Sequence, residues 1–180
     1  MDELTVSTIV FAPPERIYEL LIDFPRYDRY TEYLERVRRM EGDGGPGTRY
    51  ALRFSWWKIT YTAHSQVTDV EPPGRIDWRI TKDIDANGCW RIEPLDSVPE
   101  DAPAGTETAT RVSLEVNFDP HSADADSLDL PRFVNVGWVV EKATPLIRQE
   151  AERVFERAIA DIEGQRRSID LEVQTDSDRL

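Results

Sequence analysis

Two neighbouring segments of the chain alternate between large apolar and polar side chains. In residues 48–56 the apolar positions are Tyr50, Leu52, Phe54 and Trp56. In residues 59–67 they are Ile59, Tyr61, Ala63 and Val67. Because successive side chains of a β-strand point to opposite faces, this alternation predicts two half-buried strands that share one aromatic face.

Strands are predicted in several other segments from their β-branched, aromatic and alternating residues. These segments are residues 4–11, 35–40, 76–80, 89–95 and 112–118. Residues 35–40 are highly charged, which is typical of an edge strand. Glycine and proline composition predicts turns at residues 42–47 and 71–74, and the Asp-Ala-Asn-Gly sequence at 85–88 predicts a hairpin turn.

Helical spacing appears in three places. Pro13 and Pro14 precede a short apolar periodicity that ends at Phe24, and three tyrosines then recur every third residue between 27 and 33. From about residue 131 one long apolar stripe continues to Ile162. This order predicts an α+β fold in which a curved antiparallel sheet of about six to seven strands wraps around a long C-terminal helix, with two short helices after the first strand.

The length of 180 residues predicts one domain, which we place at residues 1–165. Residues 166–180 are polar and are predicted to form a disordered tail.

The charge balance excludes some classes of partner. The net charge is -13, so a surface for nucleic-acid phosphates is not expected, and docking on anionic membranes is disfavoured. Lys58, Lys82 and Lys142 are the only lysines, and this composition favours a chain adapted to high salt, where self-repulsion is screened.

Cellular location is predicted from what the sequence contains. Cys89 is the only cysteine, so an internal disulfide cannot form. The first residues lack the basic and apolar regions of a signal peptide, and no apolar segment approaches the ~18 residues of a membrane span. We therefore expect a cytoplasmic protein without stable membrane insertion.

Residues 10–24 resemble the first strand and helix of the START-like, or SRPBCC, superfamily, in which an Ala-Pro-x-Glu start leads into a helix that ends in an aspartate. Here the corresponding residues are Ala12, Pro13, Glu15 and Asp23. Residues 27–34 resemble the short second helix of its polyketide cyclase/dehydrase and coenzyme-Q-binding branches, and residues 74–78, 88–95 and 110–116 are similar to its later strands. The resemblance implies a helix-grip fold with an elongated cavity between sheet and helix. It also implies one of several functions, since members bind lipids, hormones, polyketides or quinones, and others act as dioxygenase subunits, co-chaperones or toxins.

A cavity in that position has to be filled. An empty apolar void of ~300 Å³ would cost on the order of 7 kcal/mol, so side chains, water or a ligand must occupy the space. Tyrosine and tryptophan suit ligand contact because each offers an apolar face and a polar group. The candidate ligand-binding residues are Tyr50, Leu52, Phe54, Trp56, Tyr61, Trp78, Trp90, Leu114, Val116, Phe133 and Trp138.

Catalytic motifs are scarce. His64 lies on the polar side of its strand and His121 in an acidic segment, without the spacing of a metal site, and neither Ser55 nor Ser65 has a histidine and an acid at the spacing of a catalytic triad. We therefore predict no catalytic residue, metal or cofactor, and leave the oligomeric state open.

Three functional hypotheses follow. The leading one is a binding or carrier protein for a hydrophobic small molecule, such as a lipid or an isoprenoid quinone. The second is an enzyme of the polyketide cyclase/aromatase type, which needs little more than a shaped pocket and one proton donor or base. The third is a co-chaperone or ribosome-associated module that uses the outer face of the sheet.

Overall fold

The computed structural model describes residues 1–119, 122 and 136–176, and for residues 136–148 it describes the backbone alone. The elements are β1 (Asp2–Val10), α1 (Pro14–Ile22), a 3₁₀ helix (Phe24–Arg29), β2 (Leu34–Glu41), β3 (Arg49–Trp56), β4 (Ile59–Glu71), β5 (Arg75–Ile80), β6 (Ala86–Pro94), β7 (Thr110–Phe118), α2 (Val136–Glu163) and β8 (Glu172–Asp176).

All eight strands form one antiparallel sheet in the order β2-β3-β4-β5-β6-β7-β1-β8. The sheet is curved, and α2 is the long C-terminal helix, so the predicted α+β helix-grip fold is confirmed. The sheet has eight strands rather than six to seven. β2 lies at one edge, as its charged sequence predicts.

The eighth strand comes from the segment that was expected to be a disordered tail. β8 pairs with β1 from Glu3↔Asp176 to Ser7↔Glu172, and Ile169 before it is buried. An unpaired sheet edge offers a row of backbone donors and acceptors, and β8 occupies that of β1. All five side chains of β8 are exposed, so its sequence carries no apolar alternation from which a strand could be predicted.

A buried carboxylate fixes the end of α2 to β1. Glu163 accepts a hydrogen bond from the backbone N–H of Phe11 at 2.8 Å and two from Arg167, at 2.7 and 2.9 Å. Arg167 also donates to the carbonyl oxygen of Ile9 at 2.8 Å, and its guanidinium lies 4.3 Å from the ring centroid of Phe11. These contacts hold α2 against β1, the strand with which β8 pairs.

The expected hairpin turn at residues 85–88 differs from the structure, since Ala86 to Gly88 already belong to β6. Gly88 pairs with Trp78, whose indole lies over it. A Cβ atom at position 88 would come within 2.6 Å of the carbonyl oxygen of Glu115 and still closer to the Trp78 ring. The glycine is therefore required by close packing inside the sheet.

The core is built around α1 and the inner face of the sheet. Ile17 of α1 is 1% exposed, and strand residues such as Val67 and Ile76 are completely buried. The last turns of α2 contribute Ile159 and Ile162 to the same cluster. Among the described residues, no helix has the length and apolar character needed to cross a bilayer.

Candidate functional site

A cavity of about 610 Å³ lies between the sheet, α1 and α2. From the sheet it is lined by Thr8, Val10, Leu34, Leu52, Phe54, Ser55, Trp56, Tyr61, Trp90, Val112 and Leu114. From α2 it is lined by Glu150, Ala151, Val154, Phe155, Ala158, Ile159 and Ile162. Its surface is almost entirely apolar. The cavity is partly open to solvent, so water or a ligand occupies it.

Six of the eleven predicted binding residues lie on this cavity wall. They are Leu52, Phe54, Trp56, Tyr61, Trp90 and Leu114. They come from four strands, β3, β4, β6 and β7, which the fold brings together on the face towards α2. Their role as ligand contacts stays a prediction.

Three other predicted residues are not among those that line the cavity. Tyr50 is 2% exposed and stacks on Phe24, with ring centroids 4.9 Å apart. Trp78 covers Gly88 and packs against the core, and Val116 is half-buried in β7 opposite Gly88. Strand alternation gives the face of a residue but not what packs against it, which is Phe24 of the 3₁₀ helix for Tyr50 and Gly88 for Trp78. Phe133 and the side chain of Trp138 lie outside the described residues.

The segment between α1 and β2 supplies cavity residues that were not predicted as binding residues. Tyr27, Tyr30, Thr31 and Tyr33 all line the cavity. The Tyr27 hydroxyl donates to the carbonyl oxygen of Leu21, and the Tyr30 hydroxyl donates to Asp161 of α2 at 2.6 Å. Burial raises the pKa of both phenols. The three-residue spacing of the tyrosines was the signal for this face, but it does not show which element the face meets.

Within the part of the chain that the structure describes, Glu150 is the one charged side chain that lines the cavity. It is 8% exposed. Arg157 Nη1 lies 3.4 Å from Oε1, and Arg153 Nη1 lies 3.7 Å from Oε2. The same Arg157 atom donates to the carbonyl oxygen of Tyr30 at 2.7 Å. The signal that could have found Glu150 is its spacing of four residues before Val154, which places it beside the apolar stripe of α2.

After the Glu150 carboxylate, the hydroxyl group of Tyr61 is the second notable polar group among the described residues of the site. Its hydroxyl oxygen is buried and has no hydrogen-bond partner among the described residues, although its ring lines the cavity. Burial raises the pKa of this phenol, and the negative charge of Asp83 adds to the effect. A buried hydroxyl without a partner is destabilising, so this atom is a candidate for a partner that the described residues do not supply.

The polar atoms of the site can position a ligand or exchange a proton, whereas a metal site is not formed by the part of the chain described. Within residues 1–119, 122 and 136–176, no group of three or more His, Cys, Asp or Glu side chains is placed to hold a metal ion. Among the described residues that line the cavity, the functional groups are one carboxylate, several hydroxyls and aromatic rings.

Several solved structures are similar in fold to this chain. The Zhui aromatase/cyclase from a Streptomyces species is 17% identical, with a TM-score of 0.61, and the alignment covers 91% of this chain and 94% of that one. The protein TTHA0849 from Thermus thermophilus is 20% identical, with a TM-score of 0.56 and coverage of 90% and 97%. The protein DR_A0006 from Deinococcus radiodurans is 17% identical, with a TM-score of 0.54 and coverage of 90% and 98%. At these identities the likeness concerns the fold alone.

Sequence comparison gives the family. No curated protein matches the chain. Residues 1–158 match the family described as polyketide cyclase / dehydrase and lipid transport, which is most of the chain. The protein therefore belongs to the polyketide cyclase/dehydrase and lipid transport family, within the START-like superfamily.

Proposed function

We propose that the protein binds or carries a hydrophobic small molecule, such as a lipid or an isoprenoid quinone, in the cavity between the sheet and α2. The observation that carries this proposal is the apolar cavity of about 610 Å³. This volume lies in the range of about 300–1,000 Å³ that is usual for small-molecule sites. Family membership supports the same class of ligand.

Affinity would come from removing apolar surface from water, at about 25 cal/mol per Å². Trp56, Trp90 and Phe155 offer flat faces for this contact, and the rings of Trp90 and Phe155 lie 6.2 Å apart. The few polar atoms on the wall would then set the orientation of the ligand rather than the strength of binding.

Native mass spectrometry of the protein isolated from its own host tests this proposal. A bound apolar molecule, extracted into organic solvent and unchanged after incubation with the protein, is the expected result. Protein that carries no small molecule, and that takes up none when apolar compounds are added, would contradict it.

The second candidate is an enzyme of the polyketide cyclase/aromatase type. The observation that favours it is the buried carboxylate of Glu150 on the cavity wall, since such a group can accept a proton from a bound substrate. An enzyme of this kind would convert the extracted molecule into a product. Replacing Glu150→Gln would then lower the rate by about 10²- to 10⁴-fold while the ligand still binds. Recovery of the same unchanged molecule from both proteins supports the carrier instead.

A further inference from the structure

We propose that the cavity binds a molecule with one polar end and one hydrocarbon tail, and that the molecule enters with its tail first. This inference rests on the proposed binding function and adds the class of the ligand and its orientation. The tail would lie in the buried part of the cavity, and the polar end would stay in the part that solvent reaches.

The two ends of the cavity differ in their access to solvent. At one end, which we call the inner end, the lining residues are each no more than 5% exposed; they are Val10, Ile17, Leu20, Val112, Ile159 and Ile162. At the other, outer end, Ser55, Trp56 and Ala151 are half-buried, and Phe54 is 37% exposed. A polar group can therefore keep its water at the outer end but would lose it at the inner end.

The helix α2 gives the direction and the length of this gradient. Among its lining residues, Ala151 and Val154 are half-buried, whereas Ile159 and Ile162 are buried. From Ala151 to Ile162 the helix rises by about 16 Å, at about 1.5 Å per residue. The cavity can therefore hold an extended chain whose two ends lie in different surroundings.

The hydroxyl groups beside the inner end are already bonded within the protein. Thr8 donates to the carbonyl oxygen of Asp170 at 2.8 Å, and Tyr30 donates to Asp161 at 2.6 Å. The Tyr27 hydroxyl donates to a carbonyl oxygen of α1. Since the cavity surface is almost entirely apolar, a polar group of the guest that reached this end would exchange water for carbon.

The same arrangement disfavours a guest with oxygen atoms along its whole length. Each carbonyl or hydroxyl group in the inner part of the cavity would give up its hydrogen bonds to water against an apolar wall. A molecule whose polar atoms are gathered at one end avoids this loss, because that end stays at the outer end of the cavity. The preferred class is therefore a single-headed amphiphile rather than a chain with many oxygen atoms.

Two isomeric diols test the inference on the full-length protein, through displacement of the apolar fluorescent probe N-phenylnaphthylamine. Both hydroxyl groups of 1,2-decanediol lie at one end, whereas 1,10-decanediol has one at each end, and the two compounds have the same composition. We expect 1,2-decanediol to bind at least about tenfold more tightly, because 1,10-decanediol must place a hydroxyl group against the apolar inner end. Equal affinities for the two diols would overturn the inference.

A hydroxyl group added to the inner end should reduce this preference. In Val10→Thr the new hydroxyl can bond to the far end of 1,10-decanediol, so the ratio of the two dissociation constants should fall by at least about threefold. Val6→Thr is the matched control and should keep the wild-type ratio, since Val6 is buried on the same face of β1 but is not among the residues that line the cavity. A wild-type ratio in Val10→Thr would also overturn the inference, because the preference would then come from the diols and not from the wall.

Failure of the orientation is distinguishable from failure of the binding function. If the fluorescent probe and both diols do not bind, the proposed binding function fails, and the orientation fails with it. If all three bind and the diols bind equally well, the binding function stands and only the orientation is wrong.

Discussion

Two tyrosines of the cavity wall have hydroxyl groups in opposite situations. The Tyr30 hydroxyl donates to Asp161, which ties the segment before β2 to α2. The Tyr61 hydroxyl is buried without a partner among the described residues. A hydrogen bond that is made contributes about 1 kcal/mol, and a buried polar atom that makes none costs a similar amount or more.

The substitutions Tyr61→Phe and Tyr30→Phe should therefore change stability in opposite directions. We expect Tyr61→Phe to raise the free energy of unfolding of the ligand-free protein by about 1 kcal/mol, because an unsatisfied hydroxyl is removed. Tyr30→Phe should lower it by about 1 kcal/mol, because the bond to Asp161 is lost. Urea denaturation measures both. A loss of stability in Tyr61→Phe equal to that in Tyr30→Phe would show that Tyr61 has a partner after all.

Cys89 provides a prediction about reactivity. Burial raises the pKa of its thiol to about 11, and the hydrogen bond to Asp77 and the charge of that residue add to the shift. Because the thiolate is the reactive form, Cys89 should react with a thiol reagent at pH 8 only when the protein unfolds. The folded pKa lies above the ordinary value of 9.0, so this group stabilises the fold below pH 9 and loses its contribution as the pH rises through 11. Rapid labelling of the native protein at pH 8 would contradict this account.

At the scale of the secondary-structure elements, the cavity depends on the attachment of α2 to β1. Glu163 has a side chain that is only 2% exposed, and Arg167 supplies two of its hydrogen bonds. Removing the arginine leaves a buried carboxylate whose one remaining hydrogen bond from a described residue is that of the Phe11 N–H group. Unpaired buried charges are among the most destabilising changes known.

We expect Arg167→Met to lower the free energy of unfolding by about 3 kcal/mol, since it breaks a buried ion pair. Arg166→Met is the control because Arg166 is exposed, and its effect should stay within about 0.5 kcal/mol. Chemical denaturation of the two variants gives the comparison. Equal stabilities of the two variants would mean that the ion pair between Arg167 and Glu163 contributes nothing to the packing of α2.

The strands and helices also show which features of the fold and of the site can be predicted from sequence patterns. The alternation of β3 and β4 correctly predicts strands with Leu52 and Tyr61 on the cavity face. It does not separate Leu52 from Tyr50, because the two share a face, and only the structure shows that Phe24 of the 3₁₀ helix packs against Tyr50. β8 was not predicted because its exposed side chains carry no pattern, and its pairing depends on the edge of a distant strand. Glu150 was not predicted, since the apolar stripe of α2 indicates which apolar residues face the sheet but not which charged neighbour of the stripe is buried with them.

At the scale of the whole molecule the dominant feature is charge. A net charge of -13 causes self-repulsion, which salt screens over a Debye length of about 10 Å at 0.1 M. We propose that the chain is adapted to high salt and expect its melting temperature to rise as KCl increases from about 0.1 M to 1 M, where the Debye length falls to about 3 Å. Differential scanning calorimetry measures this dependence. A melting temperature that does not rise over this range would contradict the proposal.

The central claim is that the space between sheet and α2 receives an apolar guest. Fluorescence titration with N-phenylnaphthylamine, an uncharged apolar probe, tests it in wild-type protein and in Ala158→Phe, which adds a ring to the cavity wall. Glu156→Phe adds the same ring at an exposed position of α2 that does not line the cavity. We predict saturable binding to the wild type and to Glu156→Phe, and at least about tenfold weaker binding to Ala158→Phe, because the added side chain occupies the volume of the guest. Equal binding by all three proteins, or none by the wild type, would contradict the account.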